Sequence, residues 1–190
     1  VRFGCFNNPC KINLDVVRSW VAVLQACEGS TLQLQYPSLI PERSGRRLRG
    51  MFEDAGLAPE RVLLVDGTDR LDAMRSYNHI DIALDPSPVN GGMTTIEAMW
   101  MGVPVLGIRG DRFASRIGES FVTAVGHPEW VVDTPQELVA LAQRLGADTD
   151  VRLRWRQTLR QDLLASELLD ASGLAAASLE VFERLVEGKQ

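Results

Sequence analysis

Short apolar stretches alternating with single helical stretches constrain this chain more than any other feature. The strand-like stretches are VRFGCF at the start, TLQLQY at 31–36, VLLVDG at 62–67, IDIALD at 80–85 and VPVLGI at 103–108. TLQLQY alternates with period two, and the others read as strands covered on both faces. Between them lie helical patterns. LDVVRSWVAVLQAC sets Leu14, Val17, Val21 and Leu24 on one face before Gly29. A polar region with Pro37 and Pro41 leads into the basic helix RSGRRLRGMFEDAG, which ends at Gly56, and further helices are expected from Asp69 to Tyr77 and from about Thr94. Strands joined by single helices need right-handed crossovers and give a parallel sheet with helices on both faces. The expected class is therefore α/β, a doubly wound Rossmann-like domain over 1–190, with 133–190 mostly helical and packed around one end of the sheet.

Composition narrows the partners. With 190 residues, 45% hydrophobic, the chain can bury one sizeable core without staples. The formal net charge of -5 and the lack of a long basic run argue against nucleic acid. No apolar run reaches the roughly 18 residues of a membrane span and no signal peptide is readable, so a cytoplasmic location without a membrane partner is expected. The chain begins on a strand-like stretch without Met, as expected of a piece whose missing N-terminal portion carries part of the function. Cys5, Cys10 and Cys27 show no disulfide framework and read as reduced, mostly packed thiols, and His79 and His127 stand too far apart for a zinc site.

Ligands of open parallel sheets bind at the carboxyl ends of the strands, near the point where strand order reverses, which directs attention to the loops after the first and fourth strands. The first loop, FNNPCKI, carries Asn7, Asn8 and the cation Lys11. Composition alone would leave Lys11 a solvated lysine. The second, DPSPVNGGMTTIEAMWMGVP, passes through Asn90, Gly91 and Gly92 into a helix start. Free backbone N–H groups there favour a phosphate by about 0.3 to 2 kcal/mol, and Thr94 and Thr95 add hydroxyls. The same residues also read as a T-x-x-E capping box, Thr94 to Glu97, closed by Gly102 and Pro104, with Glu97 alternatively accepting from ribose hydroxyls. Neither GxGxxG nor GxxxxGK[ST] occurs. Trp20, Trp100 and Trp155 sit at helical spacing and read as core, His127 as a loop residue, and Arg70 and Arg75 as exposed helix cations. Ser115 and Ser120 in FASRIGES have no readable His and carboxylate partners, so a serine hydrolase is set aside.

Taken together, FNNPCKI, IDIALDPSPVNGGMTTIEAMWMGVPVL, GDRFASRIGESF and SELLD resemble the O-linked N-acetylglucosamine transferases and their bacterial relatives, GT-B enzymes usually attached to tetratricopeptide repeats. Essentially the whole chain is similar to the C-terminal, nucleotide-sugar-binding half of their catalytic region. The resemblance implies Lys11 on the diphosphate, stabilising it as it leaves. It also implies Thr94 and the backbone of Gly92 and Met93 on phosphate, Glu97 on ribose and Asn8 as a polar nucleotide contact. Three positions depart from the family pattern: Gly92 and Met93 stand where relatives often carry His or Thr, and Ala73 stands where a histidine packs on the base. The implied reaction is inverting transfer from UDP-N-acetylglucosamine, or a related UDP-sugar, to a protein Ser or Thr. The acceptor would be held by the missing N-terminal half or repeats. The UDP-sugar is then a substrate, no cofactor is implied, and no metal is expected because Lys11 and the helix end supply the counter-charge. A non-catalytic Rossmann-like interaction module with a degenerate nucleotide pocket remains the alternative.

Overall fold

The computed structural model describes residues 1–37, 42–67 and 69–188; Pro41 lies outside them. Its elements are β1 (Arg2–Cys5), α1 (Leu14–Ala26), β2 (Thr31–Tyr36), α2 (Glu42–Asp54), β3 (Val62–Asp66), α3 (Arg70–Ser76) and β4 (Ile82–Leu84). They continue with α4 (Met93–Trp100), β5 (Val105–Ile108), α5 (Ile117–Ala124), β6 (Val131–Val132), α6 (Pro135–Ala147), α7 (Thr149–Leu164) and α8 (Ala171–Val186). All six strands are parallel, in the order β3-β2-β1-β4-β5-β6. Strand order therefore reverses between β1 and β4, which pair through Phe3 with Ile82 and Gly4 with Ala83. This is the doubly wound arrangement expected from the alternation, and its switch point lies between the two loops singled out above.

Packing follows from the apolar runs. Phe3, Leu32, Leu34, Ile82, Leu84 and Leu106 are buried between the helical layers. Right-handed crossovers put α1 and α2 on one face and α4 and α5 on the other. Helix α1 begins at Asn13, whose Oδ1 accepts from the N–H groups of Asp15 and Val16, and it buries Val17, Val21 and Leu24. Leu14 departs from the expected face: it is 56% exposed, in the open groove between α1 and α2.

Beyond β5 the structure departs from expectation in an added strand and in α8. A sixth strand of two residues, β6, hydrogen-bonds to β5 where no strand was expected. Helix α6 packs on α1 and β5, α7 packs on α4, and their junction reaches the amino ends of the strands, where Gly146 lies beside Val1. The α7 contact is tight because Gly102, at φ +75°, ends the turn after α4 and brings its Cα against the Arg156 backbone. Arg156 then donates to the carbonyls of Tyr77 (3.1 Å), Met101 (2.7 Å) and Ile80. Helix α8 buries none of its residues. Among the described residues no helix is long and apolar enough to cross a membrane.

Candidate functional site

At the carboxyl end of β1 the chain passes through Phe6, Asn7 and Asn8 into a single 3-10 turn, Pro9–Lys11. Asn8 starts that turn, its Oδ1 accepting from the Cys10 N–H at 2.9 Å, while its amide nitrogen lies 3.4 Å from the Tyr36 hydroxyl. At the carboxyl end of β4 the chain enters a loop containing a cis Ser87-Pro88 bond. Asp85 closes this loop by accepting from the Gly91 N–H at 2.6 Å, and the Asn90 amide nitrogen donates to the Pro86 carbonyl at 3.0 Å.

Lys11 joins the two loops. Its Nζ donates to Asn7 Oδ1 at 3.0 Å and to the Asn90 carbonyl at 2.7 Å, 79 residues away in sequence. Thr94 Oγ1 donates to the same Asn7 oxygen at 3.1 Å, so the start of α4 is tied to the same point. The Asn7 amide nitrogen faces Asp85 Oδ1 at 3.5 Å. Burial pushes the Asp85 carboxyl up to about 7, opposed by the Gly91 N–H, the Lys11 charge and the Asn7 amide. Desolvation also pushes the buried Cys5 thiol up to about 12, which leaves it unreactive.

The capping-box expectation is overturned. Helix α4 starts at Met93, its N-cap is Gly92, and no side chain caps it. Thr94 falls one position inside the helix, where its hydroxyl finds Asn7, and Glu97 instead pairs with Arg70 of α3 at 3.2 Å. The uncapped helix start thus keeps backbone donors for an anion beside the Lys11 ammonium. Met93 turns its side chain outward, 59% exposed, so it offers this crevice only its backbone. Adjoining the crevice is an open cavity of about 250 Å³ lined by Phe6, Tyr36, Gly67, Ala73, Thr94 and Glu97. Ala73 leaves this cavity without a ring on its α3 side.

The structure thus brings Lys11 and Thr94 to one crevice, with Glu97 on the wall of the adjoining cavity, and leaves Asn8 at the rim. Asn7 and Asn90 of the two loops meet there, and the structure adds Asp85, which had one sequence signal: a carboxylate directly following the buried strand residue Leu84. Of the residues set aside, Arg70 lines the cavity through its pair with Glu97, and the serines, His127 and the tryptophans stay outside. Ser115 is buried and bonded to Arg112, Ser120 donates to the Ile117 carbonyl, and His127 stacks on Trp130 at 4.0 Å. Trp20 and Trp155 are buried, whereas Trp100 is half-buried beneath the Arg160 guanidinium. Cys10 is exposed, unlike the packed thiol expected. The chain holds an Asp-x-Asp spacing, Asp148-Thr149-Asp150, that the no-metal expectation passes over; Asp148 there caps α7 by accepting from the Val151 N–H.

Comparison with known proteins places this geometry. The model of glycosyl transferase family 41 matches residues 1–177. The probable UDP-N-acetylglucosamine–peptide N-acetylglucosaminyltransferase SPINDLY of Hordeum vulgare is 31% identical over 99% of this chain and 20% of its own length. The UDP-N-acetylglucosamine–peptide N-acetylglucosaminyltransferase of Caenorhabditis elegans is 29% identical over 88% of this chain and 14% of its own. The chain thus spans about a fifth or less of the length of these curated relatives. Among solved structures, a Thermobaculum terrenum O-GlcNAc transferase mutant superposes with a TM-score of 0.90 at 34% identity, covering 96% of this chain and 35% of that one. Anabaena HepE in complex with UDP and glucose, at 16% identity and a TM-score of 0.66 over 95% of this chain and 48% of its own, shares the fold.

Proposed function

The chain belongs to glycosyl transferase family 41, and from that premise we propose that it is the donor-binding half of an inverting protein O-glycosyltransferase. The proposed donor is UDP-N-acetylglucosamine or a related UDP-sugar, and the acceptor a protein Ser or Thr. The observation that carries this reading is Lys11 bridging the loops after β1 and β4, at the switch point and beside the uncapped start of α4. A cation and helix-end N–H groups converging there suit a diphosphate, and the neighbouring cavity, with Glu97 on its wall, suits the nucleoside.

In the proposed reaction an acceptor hydroxyl oxygen bonds to the anomeric carbon as the bond to the diphosphate oxygen breaks, and the hydroxyl proton passes to a base. Lys11 and the backbone of Gly92, Met93 and Thr94 stabilise the charge that grows on the departing diphosphate. The acceptor groove and the base are assigned to the parts of the longer relatives that this chain does not span. Because Lys11 and α4 supply the counter-charge, binding is proposed to need no divalent metal. The setting is proposed to be cytoplasmic, in keeping with three free cysteines.

Calorimetric titration with UDP and uridine, with and without EDTA, tests the reading. Lys11→Ala should weaken UDP about ten- to a hundredfold or more, the loss of a charge-assisted contact of about 1.5 to 3 kcal/mol, and leave uridine unchanged. Since Lys11 is half-buried with two acceptors, the empty domain should also lose about 1 kcal/mol. UDP affinity that survives Lys11→Ala intact sinks the placement, and no UDP binding at all favours the interaction module. Loss of binding on chelation, restored by Mg²⁺ or Mn²⁺, would refute the metal-free site.

A further inference from the structure

A buried carboxylate beneath a site for an anion works against simple electrostatics, because Asp85 repels what Lys11 attracts. Its bonding gives the reason for its presence. Asp85 Oδ1 accepts from the Gly91 N–H at 2.6 Å and faces the Asn7 amide nitrogen at 3.5 Å. Lys11 Nζ donates to the other end of each of those two groups: to the Asn90 carbonyl, which shares a peptide plane with the Gly91 N–H, and to Asn7 Oδ1. Two dipoles therefore run side by side from one carboxylate oxygen to one ammonium. With the Asn7 amide reversed, its NH₂ would face the Lys11 ammonium and the Thr94 hydroxyl, and its oxygen would face the carboxylate. Asp85 prevents that reversal, and the tight seat around it keeps it in place: a Cβ on Gly118 would lie 2.7 Å from Asp85 Oδ2.

We propose that Asp85 is a positioning residue that, through the Asn7 amide and the Asn90–Gly91 peptide, fixes Lys11 and Thr94 for a diphosphate. The inference rests on the donor-site reading and adds to it a residue that never touches the ligand. Of the three donors on the Lys11 ammonium, two are committed to Asn7 and Asn90, and the third is left for the ligand. Asn7 likewise collects the Thr94 hydroxyl, so a single carboxylate sets the direction of every side-chain donor expected at the phosphates.

The test is a double-mutant cycle with Asp85→Ala, Lys11→Ala and the pair, titrated at pH 8 with UDP and with uridine. Asp85→Ala removes the one oxygen that both the Gly91 N–H and the Asn7 amide nitrogen face, which frees the Asn7 amide to reverse. Asp85→Ala should weaken UDP at least tenfold in the parent and less than twofold in the Lys11→Ala background, with uridine unchanged throughout. Removing a negative charge near an anion would by itself tighten binding, so unchanged or tighter UDP binding in Asp85→Ala overturns the proposal. So does an equal loss in both backgrounds, or a matching loss for uridine, since either marks a merely structural role. If Asp85→Ala fails to fold, Asn7→Ala carries the same cycle: about a threefold loss of UDP affinity that vanishes without Lys11, and an additive loss refutes it. Should Lys11→Ala leave UDP untouched, the donor-site reading falls and the inference with it; an additive cycle removes the inference alone.

Discussion

Raising the pH from 5 to 8 should loosen this fold through one residue. Asp85 is buried, and its carboxyl is pushed from 3.8 to about 7. Between those two values the folded chain holds a proton that the unfolded chain has released, so stability falls as pH rises through the window and levels off above it. Three pKa units at about 1.4 kcal/mol each give a loss on the order of 4 kcal/mol, a large share of the roughly 5 to 15 kcal/mol of an ordinary domain. The groups facing Asp85 do not cancel this effect. The thiol of Cys5 and the phenol of Tyr77 are pushed up by burial and stay neutral. Urea unfolding of the parent and Asp85→Asn at pH 5, 6, 7 and 8 measures the contribution. The variant should overtake the parent in stability as pH rises, the gap changing by about 2 to 3 kcal/mol between pH 5 and 8, since that range takes in only the upper part of the window. Parallel pH profiles would refute the reasoning. Stability gained where the charge is removed, with UDP affinity lost where the oxygen itself is removed, is the pattern of a residue kept for positioning.

Two further outcomes follow from packing. Gly102→Ala places a Cβ 2.7 Å from Arg156 Cα at a φ of +75°, where neither backbone can yield, so it should cost about 2 to 4 kcal/mol and lower Tm by roughly 5 to 15 °C; an unchanged melt would show that α7 does not press on this turn. Thr95 Oγ1 is buried without a hydrogen-bond partner, so Thr95→Val should stabilise the empty domain by about 1 kcal/mol in a thermal melt, and a clear destabilisation would contradict that assignment.

What could be read from the residues depended on how local the cause was. β1, β4 and β5 announce themselves by apolar side chains on both faces and β2 by its alternation, while β3, equally apolar in sequence, lies at the sheet edge with Leu63 exposed; the switch point follows from the alternation of strands with helices. β6 carries no such signal: two valines gain strand geometry only from the neighbouring β5 edge. The Thr94–Glu97 pattern misled because a capping box is a local solution, and the hydroxyl of Thr94 met a better acceptor 87 residues away in Asn7. Lys11 was legible from its loop, with the family resemblance lifting it above an ordinary surface lysine. Asp85 was not, since its partners Asn7 and Lys11 belong to the first loop and meet it only when β1 and β4 lie side by side.

The doubly anchored Lys11 ammonium has a consequence for what the crevice can tell apart. A free lysine stem gives up roughly 1.5 to 2 kcal/mol of rotamer freedom when a ligand immobilises it. Here Asn7 and Asn90 impose that loss during folding, so an incoming anion meets a charge already at rest. A cation held this way behaves less like a flexible arm and more like a lattice ion: it rewards an oxygen at one point in space and cannot follow one placed an ångström away. Discrimination among phosphate analogues of equal charge should then rest on bond lengths and angles within the analogue.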